Sequence, residues 1–311
     1  MAKEIKNIVI MGSGMMGNGL CQVFAADESL NVTLCTRSVA NSKAYEGIRT
    51  NLQPFIEKGI YTQEYADKLI SRVKLTDNRP EAVKDADFII ECVPENMQIK
   101  QDLFADLENY APADCIFATN TSVMSITEIA SKSKKRDRIV GAHFWNPPYL
   151  IPLVEVVKAE DTSDDTMRAT MDLLKKVGKK PIWVNKDVPG FVANRLQHAL
   201  WREAISIVER GIADPATVDE ALKYGPGLRL PHLGPIENAD MVGLDLTLSI
   251  HSYILKYLED SHEPSPILKE KVEKGELGFK TGKGFQEWTP EQAAASKKAL
   301  SEYLIKVLYN K

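Results

Sequence analysis

The sequence predicts an α/β domain with a mostly parallel sheet, followed by an all-α domain. Three observations carry this. Short Val/Ile-rich runs alternate with helical stretches up to residue 187. Strand signals vanish after Val188-Pro189-Gly190. A glycine-rich turn joins the first strand directly to the first helix. A chain of 311 residues is long for one core and comfortable for two domains.

The elements follow in order. KNIVIM (6–11) and NVTLC (31–35) are apolar on both faces, as strands buried in a parallel sheet are. ADFIIECV (86–93) and CIFATN (115–120) repeat the pattern, with helical segments at 16–26 and 97–109. Residues 41–72 read as a helical insertion, two helices meeting at Lys58-Gly59, before RVKLTD resumes the strand pattern. RIVGAHF (138–144) and LIPLVEVV (150–157) are two more apolar runs. Pro147 and Pro148 between them cannot sit in a central ladder and mark a turn. SDDTMRATMDLLKKVGKKP has a Ser/Asp start, apolar residues at helical spacing, a late Gly and then Pro, so it is a helix. PIWVNKD is the last strand. Segments 190–210, 214–224, 238–258 and 264–275 are helical, with turns at LRLPHLGP and GFKTGKGF. The boundary falls near 187–189, dividing the chain into 1–188 and 189–311.

Composition narrows the function classes. Hydrophobic residues at 44% and charged residues at 26% describe an ordinary globular protein. A net charge of -4 offers no electrostatic reason for nucleic acid or an anionic membrane as partner. The N-terminal apolar run is too short for a signal-peptide core, and no stretch approaches the roughly 18 apolar residues of a membrane span. Cys21, Cys35, Cys92 and Cys115 are far apart, which argues against a metal or disulfide framework and fits a reducing cytoplasm.

Gly12-Ser13-Gly14-Met15-Met16-Gly17 follows the first strand and opens the first helix. In that context it is the fingerprint of a Rossmann dinucleotide-binding domain. The first Gly permits the tight turn. The second lets backbone approach a pyrophosphate seated on the helix N-terminus, and the third lets helix and strand pack closely. An NAD-binding domain usually carries Asp or Glu about 20 residues further on, for the ribose 2′-OH. Here the sequence reads Thr36-Arg37. An Arg without the acid accommodates a 2′-phosphate, so the motif leans toward NADP or dual use, while NAD stands open with Arg37 as a solvated residue.

Glu155 lies inside the apolar run LIPLVEVV, and a buried carboxylate requires a partner. His143, twelve residues upstream at the end of the preceding run, is the candidate. A carboxylate on one ring nitrogen fixes the tautomer and leaves the other as a base. Hydride transfer needs such a base and no nucleophile. The alternative at this stage is that the two side chains face opposite sides of the sheet. His198, His232, His251 and His262 fit no comparable pattern.

The ordered motifs GxGxxG, VPEN (93–96), NTS (120–122), HFWNPP (143–148), PLVEVV (152–157), DVPGFVANR (187–195), GPIENADMVGLD (234–245) and GFKTGKGF (278–285) span nearly the whole chain. Together they make the chain resemble the 3-hydroxyacyl-CoA dehydrogenase family, and also its gulonate dehydrogenase and lambda-crystallin branch. The resemblance implies that His143 and Glu155 are the catalytic pair and that Ser122 and Asn194 hydrogen-bond the reacting oxygen of the substrate. It implies that Glu95, Lys100 and Asn120 lie beside the nicotinamide dinucleotide, and that the protein is a homodimer formed through its helical domain. Asn51 and Lys58 match the positions with which acyl-CoA members contact CoA. Lys58 keeps the family's charge, whereas Asn51 stands where those members carry Ser. The turn reads NPP-Tyr where acyl-CoA members read NPVP, so an acyl-CoA and a small non-CoA hydroxy acid or polar alcohol both stand as substrates, with Trp145 and Tyr149 narrowing the channel. A non-catalytic crystallin-like or nucleotide-sensing role is the third reading.

Overall fold

The computed structural model describes residues 4–310. Strands β1 (Asn7–Met11), β2 (Asn31–Cys35), β3 (Val73–Thr76), β4 (Phe88–Glu91), β5 (Ile116–Thr119), β6 (Ile139–Phe144), β7 (Leu153–Val157) and β8 (Lys180–Val184) form one eight-stranded sheet in the order β3-β2-β1-β4-β5-β6-β7-β8. Every neighbouring pair is parallel except β6–β7. The exception follows from the sequence, since only a turn links those two runs and a parallel pair needs a crossover. Strand order reverses beside β1, which puts the ends of β1 and β4 at the crevice where such sheets bind ligands.

Helices α1 (Met15–Ala25), α2 (Ala44–Glu57), α3 (Gln63–Ser71), α4 (Arg79–Val83), α5 (Met97–Leu107), α6 (Ile126–Ile129) and α7 (Asp164–Lys176) accompany the sheet. The core lies on both of its faces. One cluster joins Ile8, Ile10, Phe24, Phe88 and Val154, and the other joins Val9, Ile89, Phe104, Phe117 and Ile139. Alternate residues of one strand thus serve opposite faces, as period-2 side chains must. The insertion is α2 and α3. Ile48, Leu52, Phe55 and Leu69 are its buried face, Thr62 caps α3 by accepting from the Tyr65 N–H, and Gly59 takes φ +65 between them.

The chain divides into two compact units. The first runs through Asn194 and takes in Ala299 onward, and the second is Arg195–Lys298. The return of the last segment to the first unit has no signal in the sequence pattern. The remaining helices are α8 (Ala193–Glu209), α9 (Pro215–Tyr224), α10 (Pro226–Arg229), α11 (Pro235–Val242), α12 (Leu244–Ile254), α13 (Pro266–Glu273) and α14 (Pro290–Tyr309). Within 195–298 only Ser206 and Ala293 are buried, while Leu228 (74%), Ile236 (77%) and Leu248 (68%) are largely exposed. Among the described residues no helix is long and apolar enough to cross a membrane.

Candidate active site

The glycine loop is built as its spacing requires. Gly12 has φ +110, and a Cβ there would lie 2.9 Å from the Cys92 carbonyl oxygen. A Cβ on Gly17 would lie 1.8 Å from the Gly12 oxygen, so helix and loop touch backbone to backbone. Nothing lies within 4 Å of a Cβ on Gly14, the N-cap of α1. Two glycines therefore close the turn, and the third leaves space in front of the helix N-terminus, where free N–H groups favour an anion. This cradle fits a dinucleotide pyrophosphate. Met15 is exposed beside it, and Met16 packs against the core. Gly17→Ala should abolish NADH binding measured by fluorescence titration, because backbone cannot yield by that distance; unchanged affinity would contradict the assignment.

Thr36 directly follows β2 and shares a 2.8 Å hydrogen bond with Ser13 of the loop. Arg37 is solvent-exposed. Residues 36 and 37 thus lie next to the turn, without a carboxylate of their own.

An ionic network, buried at Glu91 and Lys100 and open to solvent at Glu95, stands at the ends of β4 and β5. Lys100 is 1% exposed, and its Nζ lies 2.7 Å from Glu91 Oε1 and 3.1 Å from Glu95 Oε2. Glu91, fully buried, also accepts from the Val93 N–H at 2.7 Å and from Thr119 Oγ1 at 2.8 Å. Burial pushes the Glu91 carboxyl up and outweighs these bonds and the Lys100 charge. Glu95 accepts from the Thr121 hydroxyl and from the Ser122 N–H at 3.1 Å. Burial acts upward on Glu95 too, but Thr121, Lys100 and Ser122 hold it below the ordinary carboxylate range. Glu91 escaped the sequence reading. The rule applied to Glu155, a carboxylate inside an apolar strand, points to it equally.

His143 and Glu155 are direct register partners across the antiparallel β6–β7 pair, so their side chains share a face. The His143 Nδ1–Glu155 Oε2 distance is 2.8 Å, with both residues buried. The alternative of opposite faces is excluded. Glu155 Oε1 accepts from the backbone N–H groups of Val192 and Ala193, each at 2.9 Å, and Oε2 accepts from Trp145 Nε1 at 3.3 Å. Burial pushes the Glu155 carboxyl up, but the bonds from His143, Ala193, Val192 and Trp145 hold it below its usual value. It is therefore an ionised acceptor that meets the His143 ring at Nδ1. Trp145, expected to narrow the channel, points its N–H at the dyad. Tyr149 packs edge-on against Phe55 at 6.0 Å.

The other motif residues are bonded to one another. Asn120 Oδ1 accepts from the Phe144 N–H at 2.8 Å, beside His143. Asn194 Nδ2 donates to the Ser122 carbonyl at 3.1 Å, and Asn194 directly follows the two amides that hold Glu155. The N-cap of α6 is Ser125, three residues beyond Ser122. Asn51 is half-buried on α2, and Lys58 lies 3.4 Å from Glu302.

Residues 7–188 match the family model described as 3-hydroxyacyl-CoA dehydrogenase, NAD binding domain, and residues 190–288 match its C-terminal domain. A probable 3-hydroxybutyryl-CoA dehydrogenase of Bacillus subtilis is 38% identical over 92% of this chain and 98% of its own. A 5-formyl-3-hydroxy-2-methylpyridine 4-carboxylate 5-dehydrogenase of Mesorhizobium japonicum is 34% identical over 97% of both chains. A crystal structure of an enzyme with that activity, described as an NAD+-dependent dismutase, superposes with a TM-score of 0.89 at 34% identity, covering 98% of this chain and 97% of that one. The buried dyad and the glycine loop thus occur in a chain matched by family models through both domains: the protein belongs to the 3-hydroxyacyl-CoA dehydrogenase family of NAD-dependent oxidoreductases.

Proposed function

We propose that the protein interconverts a secondary alcohol and a ketone, with His143 as the acid–base group and Glu155 as its anchor. The single observation that carries this is the 2.8 Å contact between His143 Nδ1 and a carboxylate held by three further donors. In the oxidising direction His143 Nε2 takes the hydroxyl proton, and Glu155 stabilises the imidazolium that forms. The nicotinamide, when bound, supplies the hydride acceptor. Ser122 and Asn194, already linked, orient the reacting oxygen. Glu95, Lys100 and Asn120 face the dinucleotide, whose pyrophosphate is held by residues 12–17, and domain 1–188 carries this binding while 189–311 carries dimerisation. Reduction of a panel of 3-keto acids and their thioesters with NADH and NADPH tests the reading; no turnover of any ketone would overturn it.

The protein uses both nicotinamides, because Thr36 brings no charge against a 2′-phosphate and the adjacent Arg37 brings one in favour. Arg37→Ala should weaken NADPH about tenfold or more relative to NADH, the loss of a charge-assisted hydrogen bond of roughly 1.5–3 kcal/mol. An unchanged affinity ratio by fluorescence would assign Arg37 no part in it.

The protein is a homodimer through its helical unit. A unit of this size with two buried residues has no core of its own, and a second copy supplies the missing apolar partner. Sedimentation should give a single species of twice the 34.7 kDa chain mass down to nanomolar concentration. A stable folded monomer would refute it.

Two substrate classes fit this chemistry. Acyl-CoA members of the family oxidise the 3-hydroxy group of an acyl-CoA and leave its thioester intact, and Lys58 matches the position of their CoA contact. A compact free carboxylate is favoured here by two observations: Lys58 is paired with Glu302, and the Mesorhizobium relative, named for a free pyridine carboxylate, matches over 97% of both chains. The presence of His143, Glu155, Ser122 and Asn194 speaks against a crystallin-like or sensing role.

A further inference from the structure

Helix α14 begins beyond residue 288, where the match to the family's C-terminal domain ends, and its second half belongs to the first unit. There Ile305 is fully buried in a cluster with Phe55 of α2 and Leu150 of the β6–β7 turn. The Tyr309 ring meets Phe55 edge-on at 5.6 Å, on a ring that also stacks with Tyr61 at 5.0 Å. Glu302 lies over Lys58 at 3.4 Å. Three segments distant in sequence are thereby tied together: the insertion, the turn that follows His143, and the end of the chain. The Lys58–Glu302 pair is half-exposed and contributes little by itself. The buried Ile305 and the aromatic contacts hold the helix down.

We infer that the second half of α14 is a built-in cover over the insertion, which selects compact free hydroxy or keto acids against substrates with a long nucleotide-bearing tail. This deepens, and rests on, the alcohol–ketone reading above. A long anionic tail laid along the insertion needs a cation and an aromatic face. On this insertion Lys58, the cation at the position of the family's CoA contact, is answered by Glu302, and Phe55 is fully buried between its stacking partner Tyr61 and the Ile305 and Tyr309 of α14. The same contacts buttress Leu150, in the turn that carries Trp145 to Glu155. The cover therefore supports the dyad as well as restricting the substrate.

The test compares the full chain with the double variant Ile305→Ala/Tyr309→Ala and with a chain ending at residue 298. Calorimetric titration with coenzyme A itself reads the cover without catalysis. The kcat/KM ratio of acetoacetate to acetoacetyl-CoA reads selectivity. The full chain is expected to bind coenzyme A at least tenfold more weakly than the double variant. The acetoacetate preference is expected to fall at least tenfold on substitution or truncation. The double variant decides the matter should the shortened chain not fold, since it only trims side chains. Equal coenzyme A binding by both proteins, binding by neither, or preference of the full chain for the thioester overturns the cover. Absence of turnover with every ketone defeats the alcohol–ketone reading instead, and the coenzyme A titration still decides the cover.

Discussion

Replacing His143 by Gln is expected to lower kcat about 10²–10⁴-fold, the usual contribution of a positioned general base, while NADH binds as before. Gln keeps a polar group able to donate to Glu155 but offers no atom that takes a proton near neutral pH. Glu155 remains held by Val192, Ala193 and Trp145, so the surrounding backbone has no reason to move. The cofactor cradle is formed by a separate segment, residues 12–17, whose contacts run to Cys35 and Cys92. Steady-state kinetics beside a fluorescence titration separate the two quantities. A variant that turns over normally removes His143 from the chemistry, and one that loses NADH binding as well points to collapse of the site. A nucleotide sensor without catalysis would show no change in function at all.

Lys100→Met should be the most destabilising of the single changes considered. The substitution leaves the fully buried Glu91 without its counter-ion, and breaking a buried pair in this way costs about 3–5 kcal/mol. For a unit of roughly 200 residues that corresponds to a fall in Tm of roughly 6–20 °C. Burial already pushes the Glu91 carboxyl above its ordinary range, and without Lys100 the push is unopposed by charge. The folded variant then binds a proton more tightly than the unfolded chain, so its stability falls as pH rises through the raised value and recovers as pH drops toward the ordinary carboxylate range. Glu91→Gln combined with Lys100→Met should regain much of the loss, because a neutral amide in place of the carboxylate leaves no unpaired charge. Thermal melts at two pH values measure all of this. A Lys100→Met protein as stable as the parent, or one more stable at high pH, would show that Glu91 does not depend on this lysine.

Much of the fold is written locally. The parallel strands are legible because they are short and apolar on both faces, and the helices because their apolar residues recur at helical spacing. The antiparallel β6–β7 pair is legible because two prolines between apolar runs leave room for a turn and not for a crossover. Trp145 shows the limit. Its bulk is legible in the sequence, but the donation of its N–H to Glu155 is not, because the direction of a ring depends on neighbours that the local sequence does not name.

The sequence by itself determined the family and the glycine loop, and it named His143 as the candidate partner of Glu155. They rest on short motifs in a fixed order along the chain, and on the rule that a carboxylate in an apolar strand demands a partner. Only the tertiary structure decided the rest. The register His143↔Glu155 sets the two side chains on one face, and amides 37 and 38 residues further on complete the carboxylate's shell. The last helix returns to the insertion, setting Glu302 over Lys58 and Ile305 against Phe55. The physical reason is common to all three. Contacts between distant segments form only when the packed sheet brings their ends together, and no periodicity along the chain records which ends will meet.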